Sequence, residues 1–217
     1  MLKWRKGKRI SMDVDDGPSD GPSHVQEKHT DNHRDEQDQN FIVVIGSHIY
    51  FYSDIDRKSA IELIKAINQA NISLEKEKVK KQDAVVTLHI NSEGGSFTDG
   101  LAMLDVIDTN MYPIHTIVEG CAISAATLLS VAGKKRFIRK NAYMMIHQFS
   151  GEVYGTYHRM VDEMISSKKQ YEHMIDFYSE RTNLNKKEAE DMLKRDLYHS
   201  AKECAKIGLV DEIIWFL

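Results

Sequence analysis

The chain contains, at residues 84–96, the sequence AVVTLHINSEGGS. Residues 84–90 form a short apolar run, which is typical of a parallel strand buried on both faces of a sheet. Gly94 and Gly95 follow that strand, and glycine lets the backbone approach a ligand closely and direct N–H groups at it. A helix is predicted next, over residues 96–108. The stretch therefore predicts one strand–turn–helix unit of a layered α/β protein.

Strand and helix signals alternate outward from this stretch in both directions. β-rich or apolar segments predict further strands at residues 41–45, 48–52, 114–118, 143–146 and 209–214. Helical patterns and cap signals predict helices at residues 56–71, 120–132, 155–181 and from Ser200 to Gly208. The first of these helices is expected to bury Ile61, Leu63, Ile64 and Ile67. Strands that alternate with helices imply a mainly parallel sheet.

Composition divides the chain near residue 40. Residues 1–40 hold seven Lys or Arg, nine Asp or Glu and only seven apolar residues. Such a segment cannot bury enough surface to offset its ordering entropy, so it is predicted to be a polar, disordered tail. Residues 41–217 have a normal length for one domain.

The overall composition excludes several classes of protein. Hydrophobic residues make up 41% and charged residues 29%, with a net charge of −4, so collagen-like, disulfide-framework and nucleic-acid-binding proteins are not expected. No apolar run approaches the ~20 residues of a membrane span, and no secretory signal is readable. The two cysteines, Cys121 and Cys204, fit a reducing compartment. We expect a soluble, cytoplasmic protein without a membrane or nucleic-acid partner.

A serine lies in the second strand-to-helix turn, in the sequence GCAISAA at residues 120–126. Ser124 has small neighbours and therefore steric room for a substrate, and the dipole of the predicted helix would stabilise an oxyanion there. The alternative is a small-residue helix packed against the sheet, with Ser124 bonded to the backbone. On these residues alone the alternative is favoured.

A nucleophilic serine needs a base and an acid that orients the base. His147 follows the strand predicted at 143–146, and Asp196 lies between two helical patterns. Each also has a plain structural interpretation, as a polar strand end and as a solvated carboxylate. Spacing alone does not assemble the three residues into a triad.

Five segments of the chain resemble the ClpP family, the proteolytic subunits of the Clp protease. They read INSEGGS at 90–96, GCAISAA at 120–126, MIHQ at 145–148, RDLYHSA at 195–201 and GLVDEI at 208–213. Any one of these segments is weakly specific, but five in the family's order are strongly specific. The resemblance implies a serine endopeptidase with no metal or cofactor.

The resemblance also assigns roles to residues of this chain. Ser124 would be the nucleophile, His147 the general base and Asp196 the orienting carboxylate. The backbone N–H groups of Gly95 and Ala125 would form the oxyanion hole. The residues implied in binding the substrate are Gly94, Gly151, Glu152 and Val153.

The implied fold is the α/β β-β-α spiral that ClpP shares with crotonases, with a handle helix from residue 155 onward. The implied assembly is a homo-oligomer of stacked sevenfold rings that encloses a degradation chamber. A Clp-type AAA+ unfoldase would be its partner, and unfolded polypeptides its substrates. Thr87 and His89 depart from the family, which tends to carry tyrosines of the ATPase-docking pocket there. Coupling to the usual unfoldase is therefore expected to be weak.

Two other functions are compatible with parts of this pattern. A crotonase-like acyl-CoA enzyme shares the spiral and uses two backbone N–H groups, but it does not need Ser124, His147 and Asp196 together. A non-catalytic ring component would keep the fold without needing any of the three. Their joint presence favours the peptidase over both alternatives.

Overall fold

The structure is a computed structural model that describes residues 41–78, 80 and 82–215. The tail predicted at 1–40 lies outside the described residues. In the described part of the chain, one sheet contains eight strands: β1 (Phe41–Ile45), β2 (His48–Tyr52), β3 (Val86–Ser92), β4 (Ile114–Ile123), β5 (Lys135–Arg139), β6 (Tyr143–Met145), β7 (His199–Ser200) and β8 (Glu212–Ile214).

The sheet is mainly parallel, as the alternating pattern predicts. Its main path is β1-β2-β3-β4-β5-β8, and every pair from β2 onward along this path is parallel. The hairpin of β1 and β2 is antiparallel and turns at Gly46. β6 pairs with the end of β4 in parallel and with β7 in antiparallel orientation.

Six helices connect these strands within the described residues: α1 (Arg57–Lys76), α2 (Phe97–Asp108), α3 (Ala126–Ala132), α4 (Tyr157–Arg181), α5 (Lys186–Leu193) and α6 (Ala201–Ile207). Asp56 caps α1 in a capping box with Ser59, and Ser200 caps α6 in the same way with Glu203. Gly208 ends α6 in the left-handed conformation, with φ of 76°. These boundaries agree with the sequence because caps are local signals.

The prediction was wrong around residue 120. The strand predicted at 114–118 continues to Ile123, and the helix predicted at 120–132 begins only at Ala126. Small residues here suggested a helix, but residues 121–123 gain a second strand partner in β6. The Asn91 side chain accepts a hydrogen bond from the Cys121 N–H at 3.2 Å. Gly120, with φ of 81°, lets the strand bend past Asn91.

Smaller differences concern element bounds. α1 ends at Lys76 rather than at the predicted residue 71, and the last strand begins at Glu212 rather than at residue 209. β3 is shifted by two residues from the predicted 84–90, and β6 ends one residue before the predicted 146. β5 was not predicted, because its three basic residues mask its strand pattern.

Predictions of burial were correct only in part. In α1, Leu63 and Ile67 belong to the core as expected, whereas Ile61 is exposed. In α4 only the C-terminal part, including Met174, is buried. Met164 in the middle of this helix is 70% exposed. No helix in the described ranges combines the length and apolarity needed to cross a bilayer.

A polar network lies between β2, β3, β4 and β5. Glu119 accepts hydrogen bonds from the Tyr52 hydroxyl at 2.6 Å and from Nε and Nη2 of Arg139 at 3.0 and 2.8 Å. Its Oε1 also lies 3.1 Å from Nδ1 of His89, whose side chain is fully buried. The network therefore holds a carboxylate inside the sheet with several hydrogen-bond donors around it.

His89 is fixed from its other side by β2. Its Nε2 lies 3.1 Å from Nδ1 of His48, and its ring stacks on that of Tyr50 with centroids 4.3 Å apart. The family resemblance expects a docking tyrosine at residue 89. In this chain the side chain at that position is held within the sheet. It presents no ring at the surface.

The network shifts the pKa values of its members. Burial lowers the pKa of His89 below its ordinary value, although Glu119 opposes this shift. Burial alone would raise the pKa of Glu119, but hydrogen bonds from Tyr52, Arg139 and His89 hold that pKa below its ordinary value. Burial and the bond to Glu119 raise the pKa of Tyr52 to about 12.

The free energy of unfolding is expected to fall as the pH is lowered from about 7 to about 4. A group whose pKa is lower in the folded state stabilises the fold above its unfolded pKa, and this stabilisation is lost as the pH falls through the folded pKa. The loss begins below 6.5 for His89 and below 4.5 for Glu119, their ordinary values. Denaturant titrations at fixed protein concentration measure it.

The variant His89→Phe is the matched control, because it keeps a ring against Tyr50 but takes up no proton. Its decline in stability between pH 6.5 and 4.5 is expected to be shallower than that of the wild type. The charged and titratable groups that face this position, His48, Glu119 and Arg139, remain in both proteins. Equally steep declines would show that His89 does not contribute.

Candidate active site

Ser124 lies in the tight turn between β4 and α3, here called the serine turn (residues 123–126). Its φ is 55°, in the left-handed region that residues with a Cβ rarely adopt. The Ser124 N–H donates a hydrogen bond to the Met145 oxygen at 2.9 Å, which anchors the turn to β6. Strained backbone of this kind is concentrated at functional sites, where surrounding contacts hold it in place.

Gly94 packs directly against the serine turn. A Cβ on Gly94 would clash with the Ile123 oxygen and come within 2.8 Å of the Ser124 Cβ. The positive φ of Gly94, 93°, is also a conformation that favours glycine. Only glycine therefore allows the turn after β3 to approach the serine so closely.

Gly95 is held in place by Ile55. The Ile55 N–H donates to the Gly94 oxygen and the Ser96 N–H donates to the Ile55 oxygen, both at 2.7 Å. In a parallel bridge of this kind the N–H of the middle residue, Gly95, points away from the partner strand. A Cβ on Gly95 would clash with the Ile55 backbone, so this position also requires glycine.

Two residues with unpaired backbone N–H groups line the cavity beside Ser124. Within the part of the chain that the structure describes, neither the Gly95 N–H nor the Ala125 N–H donates to a protein acceptor. Both residues line the cavity. Free N–H groups on a fixed backbone can stabilise negative charge that develops on a substrate oxygen.

The cavity itself has a volume of about 290 Å³. It brings Ser124 and His147 together with Gly95 and Ala125, four of the residues that the sequence singled out. Sequence reasoning missed most of its remaining lining, which includes Phe97, Leu128, Phe149, Gln170, Met174 and Tyr178. These residues come from α2, α3, α4 and the loop after β6, and no local pattern marks them.

His147 and Asp196 lie next to each other, although 49 residues separate them in sequence. Nδ1 of His147 is 3.3 Å from Oδ1 of Asp196. The Gln148 N–H donates to the Leu193 oxygen at 2.7 Å, which holds the loop after β6 against the end of α5. The His147 side chain is 25% exposed and that of Asp196 is 78% exposed. The carboxylate can therefore orient the imidazole while it remains in contact with water.

Among the described residues, Ser124 Oγ makes no hydrogen bond to His147. Hydrogen bonds between catalytic groups are often long or poorly aligned before a substrate is bound, so the absence of this bond is compatible with catalysis. The structure thus brings the three residues to one region. Their individual roles stay a prediction.

The other residues implied in substrate binding lie apart from this cavity. Gly151, Glu152 and Val153 are exposed in the loop between β6 and α4, and only earlier residues of that loop, such as Phe149 and Ser150, line the cavity. Glu152 accepts a hydrogen bond from the Tyr154 hydroxyl at 3.0 Å. In the described ranges no group of three or more His, Cys, Asp or Glu side chains is placed to hold a metal ion.

Comparison with known proteins identifies the family. The family model for Clp protease matches residues 34–215. A solved structure of a mutant ClpP1 from Listeria monocytogenes is 23% identical in sequence and superposes with a TM-score of 0.68. The match covers 79% of this chain and 92% of that one. The predicted α/β fold of the ClpP type is therefore confirmed, and the chain belongs to the Clp protease family.

Proposed function

We propose that this protein is a serine endopeptidase that hydrolyses peptide bonds inside an oligomeric chamber. The observation that carries the proposal is the cavity in which Ser124, in a strained turn, lies with His147 and two unpaired backbone N–H groups. A fold alone does not specify a function, so the argument depends on this arrangement. The unpaired thiols of Cys121 and Cys204 fit a reducing compartment such as the cytoplasm.

The proposed reaction follows from the chemistry of these groups. His147 takes the proton of the Ser124 hydroxyl as its oxygen attacks the peptide carbonyl carbon. The N–H groups of Gly95 and Ala125 donate hydrogen bonds to the resulting oxyanion. His147 then gives the proton to the leaving amine, and Asp196 stabilises the imidazolium between these two steps. Water activated by His147 finally hydrolyses the acyl-enzyme.

A fluorophosphonate or β-lactone probe tests the proposal directly, because it forms a covalent adduct with an activated serine nucleophile. Labelling of the assembled wild-type protein, located at Ser124 by mass spectrometry, is the expected result. The alternative is a non-catalytic ring component that keeps the family's fold. Absence of labelling from an assembled ring would favour this alternative.

We expect the protein to form a multimer, with stacked sevenfold rings as the family resemblance implies. The supporting observation is an exposed apolar surface on α4 and the loop before it. Its members include Tyr154, Tyr157, Met164 and Ile165, each more than half exposed. Monomers rarely expose contiguous apolar surface of this kind.

Light scattering measures the assembly, and Met164→Glu is expected to shift it toward smaller species. A stable and active wild-type monomer of 24.9 kDa would contradict the prediction. Met174 lies on the same helix but is buried against the core, so it is not expected to contribute to this contact.

The protein is expected to cleave short peptides without ATP but to respond weakly to a standard Clp unfoldase. The sequence contains no G-x-x-x-x-G-K-[ST] motif, so energy for unfolding would have to come from a partner. Thr87 and His89 replace aromatic residues that would anchor such a partner, and each lost anchor can cost ~2 kcal/mol. We therefore expect docking to be weaker by more than about tenfold.

Titration of a bacterial Clp unfoldase against the protein, with a tagged folded substrate, measures the coupling. The variant Thr87→Tyr, at the half-buried one of these two positions, is the matched comparison and is expected to respond more strongly than the wild type. Tight coupling of the wild type would show that this strand does not select the partner.

A further inference from the structure

Two consecutive hydrogen bonds connect the serine turn to helix α4. Oγ1 of Thr127, at the start of α3, lies 2.6 Å from the main-chain oxygen of Ser124. The same Oγ1 lies 2.6 Å from the hydroxyl oxygen of Tyr178. Thr127 and Tyr178 are 51 residues apart and are both buried. The chain of contacts therefore runs from the handle helix, through α3, to the backbone of the candidate nucleophile.

The direction of both hydrogen bonds follows from the number of protons available. A carbonyl oxygen only accepts, so the single hydroxyl proton of Thr127 is donated to the Ser124 oxygen. Tyr178 must then donate its own hydroxyl proton to Thr127 Oγ1. Burial raises the pKa of Tyr178 to about 12, which keeps this donor protonated at neutral pH.

The Ser124 carbonyl shares a planar peptide unit with the Ala125 N–H. In a trans peptide the C=O and N–H point in opposite directions, so fixing one fixes the other. No cis peptide bond occurs in the described part of the chain. The Thr127 N–H also donates to the Ser124 oxygen, at 3.0 Å, so this carbonyl accepts two hydrogen bonds. Both hydrogen bonds to the Ser124 carbonyl therefore help to fix the direction of the Ala125 N–H.

This peptide unit needs such support because its backbone is strained. Ser124 has a φ of 55°, a conformation that residues with a Cβ rarely adopt, so surrounding contacts must hold the backbone of this turn in place. Rotation of the peptide between Ser124 and Ala125 would change the direction of the Ala125 N–H. A buried pair of hydrogen bonds to the carbonyl opposes it, because rotation would leave buried polar groups unpaired.

We propose that Thr127 and Tyr178 form a positioning relay that keeps the Ala125 N–H directed at the reacting carbonyl of the substrate. Neither side chain would touch the reacting atoms, so both are positioning residues. The inference rests on the proposed peptidase function and assigns to α4 a role in the geometry of its oxyanion hole.

The test uses the full-length assembled protein and variants that remove one hydroxyl each. Tyr178→Phe keeps the ring that lines the cavity, and Thr127→Val keeps the side-chain volume. Thr127→Ser retains the hydroxyl and should rescue the relay. Tyr171→Phe is the matched control, because Tyr171 lies on the same helix and its buried hydroxyl has no hydrogen-bond partner among the described residues.

Three measurements distinguish positioning from general damage. With a short peptide substrate, Tyr178→Phe is expected to lower kcat by about tenfold and leave KM within about twofold, since the loss falls on the transition state. Affinity for a peptide boronate, which forms a tetrahedral adduct with the serine, should fall by a similar factor.

The variant Thr127→Val should lower kcat by at least as much as Tyr178→Phe. Adding Tyr178→Phe to Thr127→Val should lower kcat no further. Amide hydrogen exchange in residues 121–131 should be faster in Tyr178→Phe but not in Tyr171→Phe.

Unchanged kcat and boronate affinity in Tyr178→Phe would overturn the relay, as would losses that multiply in the double variant. Equal losses in Tyr171→Phe would also overturn it. If the wild type hydrolyses no peptide, the proposed function fails, and the hydrogen-exchange measurement alone then tests the relay. Faster exchange only in Tyr178→Phe would then support the relay, and equal exchange in the two variants would overturn it.

Discussion

Ser124→Ala is expected to lower kcat/KM for a short peptide by at least about 10⁴-fold and to abolish labelling by serine-directed probes. The hydroxyl is the proposed nucleophile, and no other group at that position can form the acyl-enzyme. Fold and assembly should not change, because alanine keeps the Cβ and the Ser124 backbone bonds to Met145 and Thr127 remain. Steady-state kinetics and light scattering on the same samples measure both expectations.

Ser130→Ala provides a matched control for this variant. Ser130 lies on α3, the helix that follows the serine turn. Its buried hydroxyl has no hydrogen-bond partner among the described residues. Its removal should therefore leave kinetics and assembly near wild type. A Ser124→Ala protein that retains most of its activity would exclude the serine mechanism, whatever the control shows.

His147→Ala and Asp196→Ala should each reduce activity strongly, and the double variant should be little worse than the worse single. Substitutions of residues that act as one catalytic unit have non-additive effects, because a group that orients the base contributes little to catalysis once the base is absent. We expect a loss of about 10⁴-fold or more for His147 and a smaller loss for Asp196. The carboxylate is 78% exposed, and water screens its charge at the 3.3 Å separation from the imidazole.

A double-mutant cycle on kcat/KM measures this coupling. His173→Ala, which removes an exposed histidine from α4, is the control for general effects of histidine loss and should be near neutral. Losses that multiply in the double variant would mean that His147 and Asp196 act independently. In that case the contact between them would be structural only.

Local signals in the sequence were sufficient for much of the fold. The N-cap at Asp56, the capping box at Ser200 and the glycine at 208 each act within a few residues, and the structure has them where predicted. The order of strands and helices was enough to predict a mainly parallel sheet. Five short segments, taken together, were enough to identify the family, and the family model confirms it.

The candidate site was predicted only as a set of residue types at matching positions. Sequence reasoning placed Ser124, His147, Gly95 and Ala125 together through the resemblance, and the structure brings them to one cavity. It did not find the walls of the cavity, because residues such as Tyr178 read as ordinary members of an amphipathic helix.

Only the tertiary structure decided the features that depend on distant pairs. β4 continues past Gly120 because β6 pairs with its end, and small residues in the sequence suggested a helix instead. The hydrogen bond between Thr127 and Tyr178 joins positions 51 residues apart, and the contact between His147 and Asp196 spans a similar interval. Contacts between distant residues produce no helical or strand periodicity in the sequence. Each residue suits its own helix, strand or loop whether or not its distant partner is present. Packing of the whole sheet and its helices is what brings them together.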